Sequence, residues 1–454
     1  MAASRTLTVF EYGYLACEKD SGRIINATWL SESAFQWLEQ CCLRDKEREE
    51  HRLLSLRTVQ GVKVLQVKNH VGVIALPQQQ YIEVLPKIAK HQTDPDLARQ
   101  QLLMMLRTLR TFRHIESSGA SVMTSRMTLM DIFIQQFIES VQEVLLRGLK
   151  SDYLRQRNTQ PWLKGKLCVS EQIKRNSIHR DRFFIEYDEY RLERPENRLL
   201  KTALEKVYGD TSNPALVQEL KRLRMVFEPI PALRDVTVAF SQIHLDRHMQ
   251  HYENALAWAR LILKGEAPHC MRGSAEAISL LFPMEAVFES FVTAWMRKYV
   301  SDRWQVKPQS KEHSLVHYHK RAMFQLRPDI WLKPRSPERY APLICDTKWK
   351  IIEAEKSGGQ RFNLSQNDFY QMLAYGVNYL QGKGDMLLIY PAHDGFSEPL
   401  PHPFEFHQAG HKDLRLWAVP FVIGESLKRS GWKLNRNTET HFLSSNVSNS
   451  KTED

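Results

Sequence analysis

At 454 residues the chain is longer than one typical domain, and its 43% hydrophobic and 10% aromatic residues supply enough apolar material for buried cores. The formal charge of +11 suits a polyanionic partner such as DNA, although mild basicity alone is common. No run of 18 uncharged apolar residues occurs, so no membrane span is expected. The start, MAASRTLTVFEYGYLAC, lacks the apolar core of a secretory signal.

Residues 1–92 read as a β-rich unit with one helix. A strand is expected over 6–10, a helix over 32–43, and strands over 62–68, 71–76 and 81–87, whose close spacing suggests one compact barrel or sheet. Cys41 and Cys42 lie beside Trp37 and Leu43 and read as packing. The six cysteines form no Cys-x-x-Cys pair, which argues against a zinc ribbon or disulfide framework. A reducing, cytoplasmic setting is expected.

Residues 93–270 read as a mostly helical connecting region, with apolar residues at three and four spacing over 97–112 and 129–149. Arg107, Arg110, Arg113, Arg147, Lys150, Arg155 and Arg157 make it basic. Solvated helix faces are the ordinary explanation, and a DNA or partner contact is the alternative. Pro195 stands where a further helix would begin.

From 271 to 432 the pattern becomes helix, strands, helix, strand. An amphipathic helix over 281–300 carries Phe288, Phe291, Val292, Trp295 and Tyr299 in its stripe. Strands are expected over 323–332 and 342–351, joined by a turn-rich stretch. Ser365 opens a helix in a capping-box-like start, and 386–390 is a short buried strand. Residues 433–454 are polar, rich in Asn, Ser and Thr, and expected to be disordered. No P-loop, Gly-x-Gly-x-x-Gly or Gly-x-Ser-x-Gly element occurs, so the chain binds no nucleotide by itself on this reading. His317-x-His319 lacks a third ligand and reads as surface histidines.

The chemistry is carried by Arg327-Pro328-Asp329 followed by Asp346-Thr347-Lys348. Residues two apart in a strand point the same way, so Asp346 and Lys348 share a face while Cys345, Thr347 and Trp349 take the other. An antiparallel strand before them would bring in Asp329. Two carboxylates on one site suit Mg²⁺, with Mn²⁺ as a substitute, and a neighbouring ammonium can position a water and offset charge on an attacked phosphate. Each of these residue types is common, and neighbouring features add weight. Glu289 lies on the preceding helix, with Glu285 as its rival one turn earlier. Gln371 and Tyr375 lie one turn apart on the following helix, where a plain polar face is the competing explanation. Lys350 is a candidate phosphate contact, though a strand-end lysine facing solvent is more ordinary. Pro328 would fix the backbone before Asp329.

The order of these elements is that of the PD-(D/E)xK nuclease core. Phe288-Glu289-Ser-Phe-Val, Leu326-Arg-Pro-Asp329-Ile, Ile344-Cys-Asp346-Thr-Lys348-Trp-Lys and Asp368-Phe-Tyr-Gln371-Met-Leu-Ala-Tyr375-Gly resemble the McrC family, the nuclease subunit of McrBC-type modification-dependent restriction systems. Upstream, Leu163-Lys-Gly-Lys-Leu, Glu196-Asn197-Arg-Leu-Leu-Lys and Glu83-Val-Leu-Pro-Lys are similar to the family's middle and first regions. The resemblance covers most of residues 5–425, with motifs specific only in the nuclease part. It implies an α+β multidomain protein: a β-rich partner-docking domain, a helical middle and a C-terminal α/β nuclease core over 271–432. It also implies Mg²⁺ at Asp329, Asp346 and Glu289, with Lys348 orienting water and Gln371, Tyr375 and Lys350 near the DNA. The implied partners are a hexameric McrB-like AAA+ GTPase, which selects methylcytosine-containing DNA, and double-stranded DNA. Two rivals remain: a non-catalytic activator of the NTPase, and a stand-alone RecB-like repair nuclease.

Overall fold

The computed structural model describes residues 6–24, 27–44, 53–77, 80–88, 94–109, 127–179, 181–233, 235–243, 245–264, 279–352, 362–406 and 413–434. Arg110, Arg113, Cys270 and nearly all of the polar tail lie outside them. The chain is a mixed α/β protein that divides into two compact units, one of Met1–Leu7, Val73–Ile82 and Glu116–Leu281, the other of Thr8–Gly72, Glu83–Ile115 and Phe282–Asp454. No helix among the described residues is long and apolar enough to cross a membrane.

The N-terminal elements are β1 (Thr6–Phe10), β2 (Tyr14–Cys17), β3 (Ala27–Leu30), α1 (Glu32–Arg44), β4 (Leu54–Val59), β5 (Val62–Val67), β6 (His70–Leu76) and β7 (Gln80–Leu85). The three closely spaced strands do not form the single barrel or sheet that their spacing suggests. β5 belongs to a four-stranded sheet of order β3-β2-β5-β4, whereas β6 and β7 pair with β1 and with β11 (Leu280–Pro283) in the order β1-β7-β6-β11. Their burial explains the split: β5 keeps a partly solvated face, while β6 is buried along almost its whole length. Cys41 and Cys42 are buried in α1, as packing requires.

Next come α2 (Pro95–Leu106), α3 (Leu129–Arg147), β8 (Asp152–Gln160), β9 (Lys166–Leu167), α4 (Val169–Arg175), β10 (Phe183–Arg191), α5 (Pro195–Val207), α6 (Pro214–Val226), α7 (Val236–Ser241) and α8 (Glu253–Lys264). Asp94 caps α2 by accepting from the backbone N–H groups of Asp96 and Leu97, and Pro195 starts α5 as expected. The region is not helical throughout, because β8, β10 and β9 form a three-stranded sheet. Arg155 and Arg157, read from sequence as helix-face cations, lie in β8 and pair with Glu186 of β10.

The last stretch holds β11 and α9 (Met284–Tyr299), then β12 (Trp304–Pro308), β13 (Ser314–Tyr318), β14 (Arg321–Gln325), β15 (Ile330–Pro334), β16 (Leu343–Thr347), α10 (Gln366–Tyr379), β17 (Gly384–Pro391), β18 (Phe404–Glu405), β19 (Leu414–Val422) and β20 (Gly431–Trp432). The strand expected over 323–332 is interrupted: β14 ends at Gln325, β15 begins at Ile330, and β13–β14 form a separate two-stranded sheet. The main sheet runs β12-β15-β16-β17-β19-β18, with β20 on β19. β16, β17 and β19 are parallel, and β17 is buried from Asp385 to Pro391, as a strand covered on both faces must be. Alternation along β19 assigns the faces. Leu414, Leu416 and Ala418 join the core that includes Met372, Tyr375 and Tyr379 of α10, whereas Phe421 packs on Phe288, Phe291 and Trp295 of α9. The sheet therefore lies between the two helices.

Candidate active site

Strand register places the acids. β15 pairs antiparallel with β16 so that Ile330 meets Cys345, and Asp329, in the bend just before β15, reaches the end of β16 through its bonds to Thr347. Ile344 belongs to the core under α10, so Asp346, two residues on along β16, takes that same face. The Lys348 backbone N–H donates to Ile389 O (2.9 Å), which carries the parallel ladder one residue past β16 and holds the lysine at the carboxyl end of the sheet.

Asp346 is buried, with Oδ2 at 2.7 Å from Lys348 Nζ and Oδ1 without a hydrogen-bond partner. Burial, then the charge of Asp329, pushes its pKa up to about 7, against the pull of Lys348. Asp329 Oδ2 accepts from the Thr347 backbone N–H and from Thr347 Oγ1, both at 2.8 Å. Burial raises the Asp329 pKa in spite of those two bonds. Burial alone would lower the pKa of Lys348, but Asp346, Asp368 and Asp329 outweigh it and raise it, so the amine stays an ammonium near neutral pH.

Glu289 of α9 joins through Gln309, whose Nε2 donates to Glu289 Oε1 (2.6 Å) and reaches Asp329 Oδ1 (3.4 Å). Burial, followed by the neighbouring Asp329, pushes the Glu289 pKa up to about 7. Glu285 is exposed, and its charge acts on Glu11 and Tyr12 instead. Of the two rival acids, the geometry brings only Glu289 to the aspartates. From α10, Gln371 Oε1 accepts from Lys348 Nζ (3.1 Å), Gln371 Nε2 donates to Tyr375 Oη (2.8 Å), and Tyr375 O–H donates to Arg327 O (2.9 Å). These two residues thus tie the lysine to the backbone just before Asp329. Lys350 Nζ lies 3.2 Å from Asp368 Oδ2 and is partly exposed.

Three participants were not singled out from sequence. Asp368 is buried in the first turn of α10 and faces both lysines, at 3.9 Å from Lys348 and 3.2 Å from Lys350. Its spacing of three from Gln371 was a usable signal. Thr347 was assigned to the opposite face, yet its hydroxyl reaches Asp329, because Asp329 sits in the bend ahead of β15 and meets the end of β16 from the side. Gln309 bears no sequence signal. Its backbone is left-handed, with φ 49°, and its N–H donates to Asp329 O. Ser365, expected to cap α10 with its side chain, makes no such bond, and Asp368 N–H donates to Ser365 O instead.

Among the described residues, no three His, Cys, Asp or Glu side chains stand close enough to hold an ion among themselves. In this conformation Asp329 Oδ2 is committed to Thr347 and Glu289 Oε1 to Gln309. Mg²⁺ commonly takes one or two carboxylates and completes its shell with water and substrate phosphate. The unsatisfied, buried Oδ1 of Asp346 beside a second aspartate fits that requirement.

A family model described as McrBC 5-methylcytosine restriction system component matches residues 65–391. No curated protein matches the chain. Among solved structures the chain is similar, at 16% identity and a TM-score of 0.63 over 92% of this chain and 95% of the other, to one in a "refined half-complex from tetradecameric assembly of Thermococcus gammatolerans McrB AAA+ hexamers with bound McrC". A second, in the cryo-EM structure of the Thermococcus gammatolerans McrBC complex, is 16% identical with a TM-score of 0.48, over 65% of this chain and 88% of that one. At that identity the first likeness is one of fold.

Proposed function

The chain belongs to the family of McrBC 5-methylcytosine restriction system components, and from that premise we propose that it is the Mg²⁺-dependent subunit that cuts DNA. The observation that carries this reading is the meeting of Asp329, buried Asp346 and the Lys348 ammonium at one end of the main sheet. On this reading the arrangement is a PD-(D/E)xK core, and residues 271–432 are its nuclease domain.

Asp329 and Asp346 would hold the ion, with Glu289 as a third ligand only once it gives up its bond to Gln309. When bound, Mg²⁺ supplies a more acidic water and shields the phosphate under attack. The protein's own groups do the rest. Thr347 locks one oxygen of Asp329, and the other is held only by the long 3.4 Å bond from Gln309. Lys348 is held between Asp346 and Gln371, so its charge is aimed rather than diffuse, and it orients water and offsets charge on the phosphate as a cation. Asp368 anchors Lys350 at the rim, where it can meet the DNA backbone.

The similar half-complex contains McrB AAA+ hexamers, which supports a ring NTPase as the partner that selects modified DNA, with the β-rich residues 1–92 as the docking part and 93–270 as the connection. A methylated plasmid incubated with this chain, the cognate NTPase, nucleotide and Mg²⁺ tests the proposal. Wild type is expected to cut, and Asp346→Ala is expected to lose cutting by about a thousandfold or more while still stimulating the NTPase. Loss of both activities together would show that Asp346 belongs to a structural core. Cutting by the wild type without partner or nucleotide would identify a stand-alone nuclease.

A further inference from the structure

Between Gln309 and Asp329, the two residues that meet at the candidate site, the chain leaves the main sheet and forms the ribbon β13–β14. All of β14 is exposed, as are four of the five residues of β13. The base of the ribbon is firm. Tyr379 O–H donates to Ser310 O (2.9 Å) and Leu326 O (3.2 Å), the His313 ring packs edge-on against Tyr379 at 4.5 Å, and Leu326 N–H donates to His313 O (3.0 Å). Tyr379 belongs to α10, the helix that also carries Gln371. The ribbon is therefore anchored to the site at its base and bare above it.

A two-stranded ribbon with no core of its own is marginal in water. This one nevertheless exposes Val316 (45%), Tyr318 (66%) and Phe324 (70%). Its tip turns through His319 and Lys320, both left-handed with φ of 46° and 62°, in a two-residue turn where glycine and asparagine are the usual occupants. The segment 311–325 contains Lys311, Lys320 and Arg321 against one acid, Glu312, which is paired with Lys307 of β12 (2.7 Å).

We propose that the ribbon β13–β14 is a DNA-gripping arm that lies in a groove of duplex substrate and sets a phosphodiester over the acids at its base. The inference rests on the nuclease reading of that site. Its occupant follows from charge and dimension. The tip carries two adjacent cations, Lys320 and Arg321, with no acid on the ribbon itself, and a five-residue ribbon is about 17 Å long at ~3.3 Å per residue. B-DNA's major groove, about 12 Å wide, admits a two-stranded ribbon. The ribbon's base is tied to α10 and its two ends lead, within a few residues, to Gln309 and Asp329, so a groove contact here bears on the position of the backbone at the site. Lys320 and Arg321 contact phosphate, and Phe324 and Tyr318 lie against sugar and base edges.

The test is anisotropy of a fluorescein-labelled duplex with the full chain across a salt series, for wild type, the double variant Lys320→Glu/Arg321→Glu and the charge-conserving Lys320→Arg. The double variant is expected to bind at least tenfold more weakly, and its log-affinity to fall less steeply with log salt by about two units of slope, one per lost phosphate contact. Lys320→Arg is expected to bind as wild type does, and unchanged far-ultraviolet dichroism of the double variant excludes a folding defect. Duplex binding by the double variant within twofold of wild type, at the same slope, overturns the proposal. The same result with lost binding to the NTPase overturns it in favour of a protein contact. The two readings separate cleanly: if Asp346→Ala cuts like wild type while the double variant loses DNA, the nuclease assignment fails and the arm stands.

Discussion

Glu11, just past β1, is fully buried; its Oε2 accepts from Trp349 Nε1 (2.9 Å) and from the Lys87 backbone N–H (3.2 Å), and its Oε1 has no hydrogen-bond partner. Burial is the leading cause that pushes its pKa up to about 8 from 4.5. The folded chain thus keeps a proton between about pH 4.5 and 8 that the unfolded chain gives up. This contribution to stability is complete below pH 4.5 and is lost as the pH rises through 8. Glu289 and Asp346 shift in the same direction, so the informative quantity is the difference from Glu11→Gln, which keeps the acceptor for Trp349 but cannot titrate. Urea midpoints should decline from pH 5 to 8 more steeply in wild type than in Glu11→Gln, and equal declines would contradict the assignment. The residue matters to the site because Trp349 follows Lys348 and packs at 5.3 Å on Phe288, the neighbour of Glu289. A second prediction concerns the tether of Lys348. Tyr375→Phe removes the hydroxyl between Gln371 and Arg327 O, a loss of about 1 kcal/mol of orienting hydrogen bonding, and should slow cutting by roughly fivefold at unchanged DNA affinity. Wild-type rates in that variant would show that the tether is idle.

The helix α10 approaches the sheet at Gly376. A Cβ there would come within 2.6 Å and 2.8 Å of the Leu414 methyl groups and 2.8 Å of Met386 Sδ, all in the core. Gly376→Val should therefore lower stability by about 1–3 kcal/mol through overpacking, read as a shifted urea midpoint; a neutral result would mean that the helix rides higher on the sheet. That close approach is what sets Gln371 against Lys348. α9, β16, α10 and β17 were legible in the sequence because each is long or strongly patterned: an aromatic stripe at helical spacing, a run of apolar residues, a helix start at Ser365. The carboxylate pair was legible because β16 is regular enough for alternation to place Asp346. The ribbon was not, because its turn holds His319 and Lys320 rather than Asn-Gly, and a strand assigned across 323–332 hid the break at Leu326–Asp329. The sheet of β8, β9 and β10 was hidden by a basic composition that reads equally well on a helix surface. Gln309 was invisible for another reason: its part in the site comes from a left-handed bend that brings two distant acids together, and no local pattern records that.

The whole chain carries a formal charge of +11, and on the proposed division of labour it cuts whatever the NTPase presents. Its own affinity for duplex should then be electrostatic, steep in salt and indifferent to cytosine methylation. Methylated and unmethylated duplexes should bind the isolated chain within twofold of each other, and a tenfold preference for the methylated one would assign base recognition to this chain. The central claim is that Asp329 and Asp346 form a divalent-cation site. Titration of Mn²⁺ into the full chain, followed by electron paramagnetic resonance of the free ion, measures this without partner, DNA or turnover. Wild type is expected to sequester the ion, and Asp346→Asn to bind it at least tenfold more weakly. Equal sequestration by the two proteins, or none by either, would contradict the account.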